Sequence, residues 1–196
     1  MIQGQRRNDA MRASLLGLAF VCAGSLPAQD FSKENLAPYI PSPQMVVEHM
    51  LDAARVKPGE MVYDLGSGDG RVVITAAQKY QANAVGIEIS DILCKSAVKK
   101  VNALGLSSQV SIVHDSALKV DLSPADVVTI YLLTSSNERL RPNLEKYLKP
   151  TARVVSLNFG MPGWKAARVE SVHADRQTHT IYVYEMSSRY PDGKKK

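Results

Sequence analysis

Between Met61 and Asn158 the chain alternates short, unbroken apolar runs with longer amphipathic segments, and few folds accept that order. The runs are "MVYDL", "AVGIEI", "VSIVHDS", "ADVVTIYLL" and "ARVVSLN". Such runs suit strands of a parallel sheet buried on both faces, because a half-exposed strand would alternate polar and apolar residues. Between them, "GRVVITAAQKY" reads as a helix. Ser90 caps a second, with Leu93, Ala97, Val101 and Leu104 as its apolar stripe and Gly105 as its stop. "NERLRPNLEKYL" reads as a third, with Leu140, Leu144 and Leu148 in line, and Pro142 is expected to kink it or to mark its first turn. A further helix over 44–54 precedes the first strand, with Val47, Met50, Leu51 and Ala54 at helical spacing after Ser42-Pro43. "RVESVH" and "HTIYVYEM" on either side of "ADRQT" read as a terminal hairpin. The prediction is an α/β doubly wound sheet of seven strands, mostly parallel with an antiparallel C-terminal hairpin, helices on both faces and ligands at the carboxyl ends of the strands.

At 196 residues, 45% hydrophobic and 22% charged, the chain is long enough for one buried core. The net charge of +5 is concentrated at the ends, in Arg6, Arg7 and Arg12 near the start and Lys194, Lys195 and Lys196 at the close. The body between is close to neutral, so no basic face for nucleic acid is indicated, and 187–196 reads as a solvated basic tail. Residues 1–28 have the layout of a secretory signal peptide: a basic n-region, the apolar "ASLLGLAFVCAG", then small Ala28 behind Pro27. That apolar stretch is short for a transmembrane span. The expected location is periplasmic or secreted. An uncleaved N-terminal anchor, with proximity to a membrane, is the alternative. After cleavage only Cys94 would remain, so no internal disulfide is expected. Residues 29–43, with "NLAPYIPSP", read as an irregular lid-like segment, and 44–186 as the folded domain.

The turn after the first strand, "VYDLGSGDGR", carries the chemistry. A dinucleotide fingerprint needs G-x-G-x-x-G, but Arg71 fills the place of the third glycine, and no Gly-Lys-Ser/Thr follows to make a P-loop. What remains is an acid followed by Gly66, Gly68 and Gly70 at alternate positions. Glycines there let the backbone bend sharply and approach a ligand that a Cβ would strike. Asp64 at the strand end offers negative charge, which suits an ammonium or a sulfonium better than a pyrophosphate.

This pattern resembles motif I of the class I S-adenosylmethionine-dependent methyltransferases, and the resemblance runs over nearly all of Tyr39 to Met186. It implies a Rossmann-like fold and S-adenosyl-L-methionine as cofactor. It also implies cofactor-binding roles for Asp64, Gly66, Ser67, Gly68 and Gly70, with Glu88 in "GIEIS" on the ribose hydroxyls and Asp115 in "VHDSA", beside Ser116, on the adenine. Three acids at three successive strand ends strengthen one another. The end of the fourth strand lacks the Asp/Asn-Pro-Pro-aromatic expected of nucleic-acid N-methyltransferases. "YIPSP", "TIYLL" followed by Asn137, and "LRPNLEKYLKPTARVVS" instead resemble lysine methyltransferases related to those of the ATP synthase c subunit and the adenine nucleotide translocator. The departure is Thr134, where that group leads one to expect proline after "YLL".

The resemblance implies a protein lysine, or another small amine, as the methyl acceptor; the chain is expected to be a monomer. Tyr131 would face the methyl group, Asn137 would hold its loop or accept an amine hydrogen bond, and Tyr39 sits in a segment able to fold over the cofactor. Each has a structural alternative: a core aromatic for Tyr131, a helix start for Asn137. His49, His114, His173 and His179 lack metal-ligand spacing, so no metal is expected. Trp164 in "GMPGW" either covers a substrate channel or closes the core. Two other functions stay open, a small-molecule methyltransferase and an exported module that keeps the fold and binds a ligand without catalysis.

Overall fold

The computed structural model describes residues 34–189; the signal-like segment 1–28 and the last residues of the basic tail lie outside them. The elements in chain order are α1 (Gln44–Ala53), β1 (Met61–Leu65), α2 (Arg71–Tyr80), β2 (Asn83–Glu88), α3 (Asp91–Ala103), β3 (Val110–His114), β4 (Val127–Ile130), α4 (Thr134–Tyr147), β5 (Arg153–Leu157), β6 (Arg168–Ala174) and β7 (Gln177–Glu185). A short 3-10 turn, Met186–Arg189, follows. The strands form one seven-stranded sheet in the order β3-β2-β1-β4-β5-β7-β6. The first five strands run parallel, and β7 pairs antiparallel with both β5 and β6. The expected architecture is therefore the observed one.

Alternation along each central strand divides its side chains between two cores. Val62, Val127, Val155 and Leu157 face the layer containing α1 and α2. Leu65, Val128, Ile130 and Val154 face Leu140 and Leu144 of α4 and Leu148 just beyond its end. All four residues of β4 are buried, which explains why no polar alternation marks it in the sequence. The strand order reverses between β1 and β4, and the carboxyl ends of these strands open the crevice where ligands of such sheets bind.

Helix ends follow their local chemistry. The Ser90 hydroxyl accepts from Leu93 N at 3.4 Å, and Gly105, at φ +69, ends α3. Gly105 N donates to Asn102 O and Leu106 N to Val101 O, the paired bonds of a Schellman close. The expected apolar stripe is corrected at one place. Leu104 is the cap itself and is 46% exposed, while Cys94, Ala97 and Val101 are buried and Leu106 packs on the core beyond the turn. Helix α4 begins at Thr134, a full turn before the expected Asn137, and Pro142 lies inside it rather than in its first turn. Leu133 O accepts from both Ser136 N and Asn137 N, so the residue standing where proline was expected starts the helix. Cys94 is a free, buried thiol whose pKa is raised by burial, with Glu88 and Asp91 adding to the rise. Among the described residues no helix is long and apolar enough to cross a membrane.

The terminal hairpin turns through only two residues, Asp175 and Arg176, because Ala174 pairs with Gln177. Both have positive φ, 48° and 64°, as a type I′ turn requires. Neither is glycine, so the turn is strained. Arg176→Gly relieves about 1–2 kcal/mol of left-handed strain, against roughly 0.5–1 kcal/mol of added chain entropy. Urea unfolding is expected to show a variant equal to the parent or up to about 1.5 kcal/mol more stable.

Candidate active site

The site begins where β1 ends. Gly66, Gly68 and Gly70 take φ of +84°, +54° and +79°, left-handed conformations that side chains resist. Gly66 N and Ser67 N both donate to Ile87 O, at 2.9 and 3.0 Å, and Gly68 N donates to Glu88 Oε2 at 2.7 Å. The turn after β1 is thus tied to the end of β2. The three glycines serve different ends. A Cβ on Gly68 would stand 2.5 Å from Cε2 of Tyr39, so the absent side chain makes room for the tyrosine ring. A Cβ on Gly70 would meet Ala97 Cβ at 3.3 Å, which makes Gly70 a packing residue between the start of α2 and α3.

Around this turn lies a cavity of about 370 Å³. Of the site residues expected from the sequence, Tyr39, Asp64, Gly66, Ser67 and Gly68 line it, as do Glu88, Asp115 and Tyr131. Gly70, Ser116 and Asn137 do not. Ser116 is fully buried, and its Oγ accepts from Leu118 N at 3.3 Å, shaping the loop that presents Asp115. Asn137 is fully buried too. Its Nδ2 donates to Phe159 O at 2.9 Å and faces Gly160 O and Ser156 Oγ at 3.3 Å. It ties α4 to the loop after β5, a partner the sequence did not indicate, and it is the fourth residue of α4 rather than its start.

The electrostatics of the acids differ with their surroundings. Burial pushes the Asp64 carboxyl up to about 7; the Thr129 hydroxyl, 2.7 Å from Oδ1, opposes that push, while Glu88 and Asp69 add to it. Glu88 is also buried, but its Oε1 accepts from Ser90 N and its Oε2 from Gly68 N, each at 2.7 Å. Asp115 Oδ1 accepts from Ser116 N at 2.6 Å. Burial also raises Asp69, but Arg71 and Lys100 outweigh it and hold that carboxyl at about 2.

Arg71 is the residue the sequence reading passed over. Its Nε and Nη2 engage Asp69 at 2.9 and 3.0 Å, and its Nη1 donates to Ser42 O at 2.6 Å. It therefore fastens the irregular front segment to the glycine turn. The same segment is held by Glu34 to Lys119 and by Leu36 O to the Ser136 hydroxyl. The available signal was the "DGR" at the close of the motif, which places an acid and a guanidinium two residues apart. Phe159 was also missed. It lines the cavity beside Tyr131, with ring centroids 6.4 Å apart and planes 23° apart. Trp164 is outside the cavity. Its Nε1 donates to Glu145 Oε1 at 2.9 Å and its ring meets Tyr184 edge-on, so it closes the core. His114 is exposed and bonds Ile89 O at 3.0 Å. No cluster of three or more His, Cys, Asp or Glu side chains suited to a metal occurs among the described residues.

Fold, glycine turn and strand-end acids together define a class I S-adenosylmethionine-dependent methyltransferase. Within that class the chain belongs to the family of the ANTKMT methyltransferase domain, whose model matches residues 64–168. It is 45% identical to the protein-lysine N-methyltransferase of Saccharolobus islandicus over 75% of this chain and 92% of that one. It is 33% identical to the adenine nucleotide translocase lysine N-methyltransferase of Mus musculus, over 79% of this chain but only 65% of the longer mouse protein. The crystal structure of an RNA methyltransferase from Salinibacter ruber with S-adenosyl-L-homocysteine superposes with a TM-score of 0.70 at 41% identity, covering 75% of this chain and 94% of that one.

The residues present fit the cofactor. S-adenosylmethionine has a sulfonium, an ammonium, a ribose diol and an adenine amino group, and the cavity offers Asp64, Glu88 and Asp115 as acceptors at three strand ends. The buried Ser67 hydroxyl, without a partner among the described residues, is a further group to be satisfied there. Two outcomes are expected. Glu88→Gln keeps the side-chain length but removes the negative charge and sets an NH2 donor against one of the two backbone N–H groups that Glu88 accepts, at a point where bonds to a charged group are worth roughly 1.5–3 kcal/mol. Calorimetry should then show cofactor affinity lowered about tenfold or more. Asp64 sets a pH dependence. Its folded pKa is raised, so the stability it contributes is whole below about pH 4 and is lost as pH rises through about 7. A bound cation favours the ionised carboxylate. Preference for S-adenosylmethionine over S-adenosylhomocysteine, which lacks the sulfonium charge, should accordingly widen between about pH 6 and 8, with proton release on binding, and Asp64→Asn should flatten that profile.

Proposed function

We propose that the protein transfers a methyl group from S-adenosylmethionine to a lysine amine of a protein substrate. The observation that carries this reading is the charge of the cavity. Glu34, Asp64, Asp69, Glu88 and Asp115 line it, and Arg71 is the one cation among the described lining residues. Asp69 already spends its charge on Arg71 and Lys100, and Glu34 on Lys119, so the negative surplus rests on Asp64, Glu88 and Asp115. A lysine ammonium is drawn toward such a mouth, and a phosphate backbone is repelled from it. The Tyr131 and Phe159 rings add faces that attract cationic nitrogen. The name of the Saccharolobus relative supports the same acceptor, whereas that of the Salinibacter neighbour points to RNA, which the carboxylates disfavour.

When bound, S-adenosylmethionine would supply a methyl group on a positively charged sulfur. The lysine ammonium would first give a proton to solvent, and its nitrogen would then take the methyl group as the carbon–sulfur bond breaks and S-adenosylhomocysteine leaves. The chain's own contribution is placement. Glu88 serves the ribose hydroxyls, Asp115 the adenine amino group and Asp64 the positive charge, while Gly66 and Gly68 let backbone approach the ligand. Tyr131, one residue past β4, presents its hydroxyl to the acceptor amine, and the front segment with Tyr39 over Gly68 keeps bulk water from the turn.

Incubation with methyl-labelled cofactor, a mixed protein extract and total RNA in parallel tests the assignment. Label recovered as methyl-lysine is the expected result. Label in RNA alone would sink it, and cofactor binding without any transfer would favour a non-catalytic module. In single turnover at saturating cofactor, Tyr131→Phe should slow transfer by about 10–100-fold, at about 1.4 kcal/mol per decade, and leave cofactor affinity unchanged. Full activity in that variant would remove the hydroxyl from the mechanism.

A further inference from the structure

We propose that Asn158 is a positioning residue that orients the Tyr131 hydroxyl toward the substrate amine; this rests on the lysine-amine reading of the site. Asn158 follows β5 directly and holds φ at +59°, a left-handed conformation that L side chains rarely adopt. Thr180 of β7 pins it twice. Asn158 N donates to Thr180 O at 2.7 Å, and Thr180 N donates to Asn158 Oδ1 at 3.0 Å.

The second bond fixes the polarity of the amide. A backbone N–H can only donate, so Oδ1 must face Thr180 and Nδ2 must point the other way. There it stands 3.4 Å from the Tyr131 hydroxyl and 3.3 Å from Nδ1 of His179, which is buried. Each amide hydrogen has one target. His179 Nδ1 is then an acceptor, with its ring proton on Nε2, and the Tyr131 oxygen is an acceptor too. Flipping the amide would set two donors against each other at Thr180, so the arrangement has one sense only.

Asn158 does not line the cavity, whereas Tyr131 does. Its influence on an incoming amine therefore passes through the tyrosine. With one lone pair of the phenol oxygen engaged by Asn158, and the ring set by its stack on Phe159, the oxygen keeps one lone pair and its hydrogen for the cavity. An amine N–H can donate to that lone pair, which leaves the nitrogen's own lone pair free to take the methyl group. If only the turn after β5 mattered, glycine would hold φ +59° without strain. Asparagine is the residue that also reaches Tyr131.

The test compares Asn158→Ala, Asn158→Gly, Tyr131→Phe and the Asn158→Gly/Tyr131→Phe double variant, all as full chains. Each is assayed with methyl-labelled S-adenosylmethionine and a mixed protein extract, and titrated with S-adenosylhomocysteine to show an intact fold. Asn158→Gly keeps the left-handed backbone accessible should Asn158→Ala fail to fold. Each folded Asn158 variant is expected to lose about tenfold in transfer rate at saturating cofactor, with S-adenosylhomocysteine affinity within about twofold of the parent. The double variant should be no slower than Tyr131→Phe alone, because the asparagine has nothing left to orient. A parental rate in Asn158→Gly, or a further tenfold loss in the Tyr131→Phe background, would overturn the proposal. Failure of the parent itself to label lysine would instead overturn the functional reading beneath it.

Discussion

Glu88 accepts the Gly68 N–H with one carboxylate oxygen and the Ser90 N–H with the other, and much of the site hangs on that pair of bonds. The glycine turn needs three left-handed residues in five, a backbone with little reason to persist unless its amides are claimed. Glu88 and Ile87 O claim three of them. The same carboxylate, through Ser90 N, sits at the start of α3, where negative charge is favoured by the helix. One side chain thus sets the distance between the loops that follow β1 and β2, and those loops are two walls of the cavity. Bonds to a charged acceptor are the stronger kind, which suits a residue that ties two loops together while lining the cavity between them.

The remaining walls are held by charge and by strain. Asp69 is paid out to Arg71 and Lys100, and through Arg71 the turn grips the backbone of Ser42. The irregular front segment, which has no ladder of its own, gains its position from these side-chain bonds. Among the described residues Asp64 has no such partner cation, and it sits buried with the Thr129 hydroxyl at 2.7 Å, which leaves its carboxyl receptive to a positively charged ligand. The stacked Tyr131 and Phe159 form a further wall, with left-handed Asn158 behind it and 3.4 Å from the Tyr131 hydroxyl.

The alternation of apolar runs, Gly66-Ser67-Gly68-Asp69-Gly70 after β1, and acids at the ends of β1, β2 and β3 were all legible in the chain, because each depends on local spacing. The start of α4 was not. Thr134 and Leu133 give no side-chain cap, and the helix begins there because Leu133 O is free to take two amides. Leu104 carried the right spacing for a buried stripe but lies at the helix cap, where the face it belongs to has already run out. Phe159 was invisible as a site residue, and for Arg71 the neighbouring Asp69 hinted at a local pair but not at Ser42 across from it.

By itself, then, the sequence determined the class of fold, the turn that can bear close approach of a ligand, and the acids at successive strand ends, because strand period, helix period and glycine placement act within a few residues. Only the tertiary structure decided which of those residues share one cavity. It set Gly70 to packing against Ala97 and Asn137 to holding the loop after β5, and it brought Arg71 to Ser42, Tyr39 to Gly68 and Asn158 to Tyr131. These pairings join segments far apart in the chain, and they follow from how the sheet orders its strands, which no local periodicity encodes.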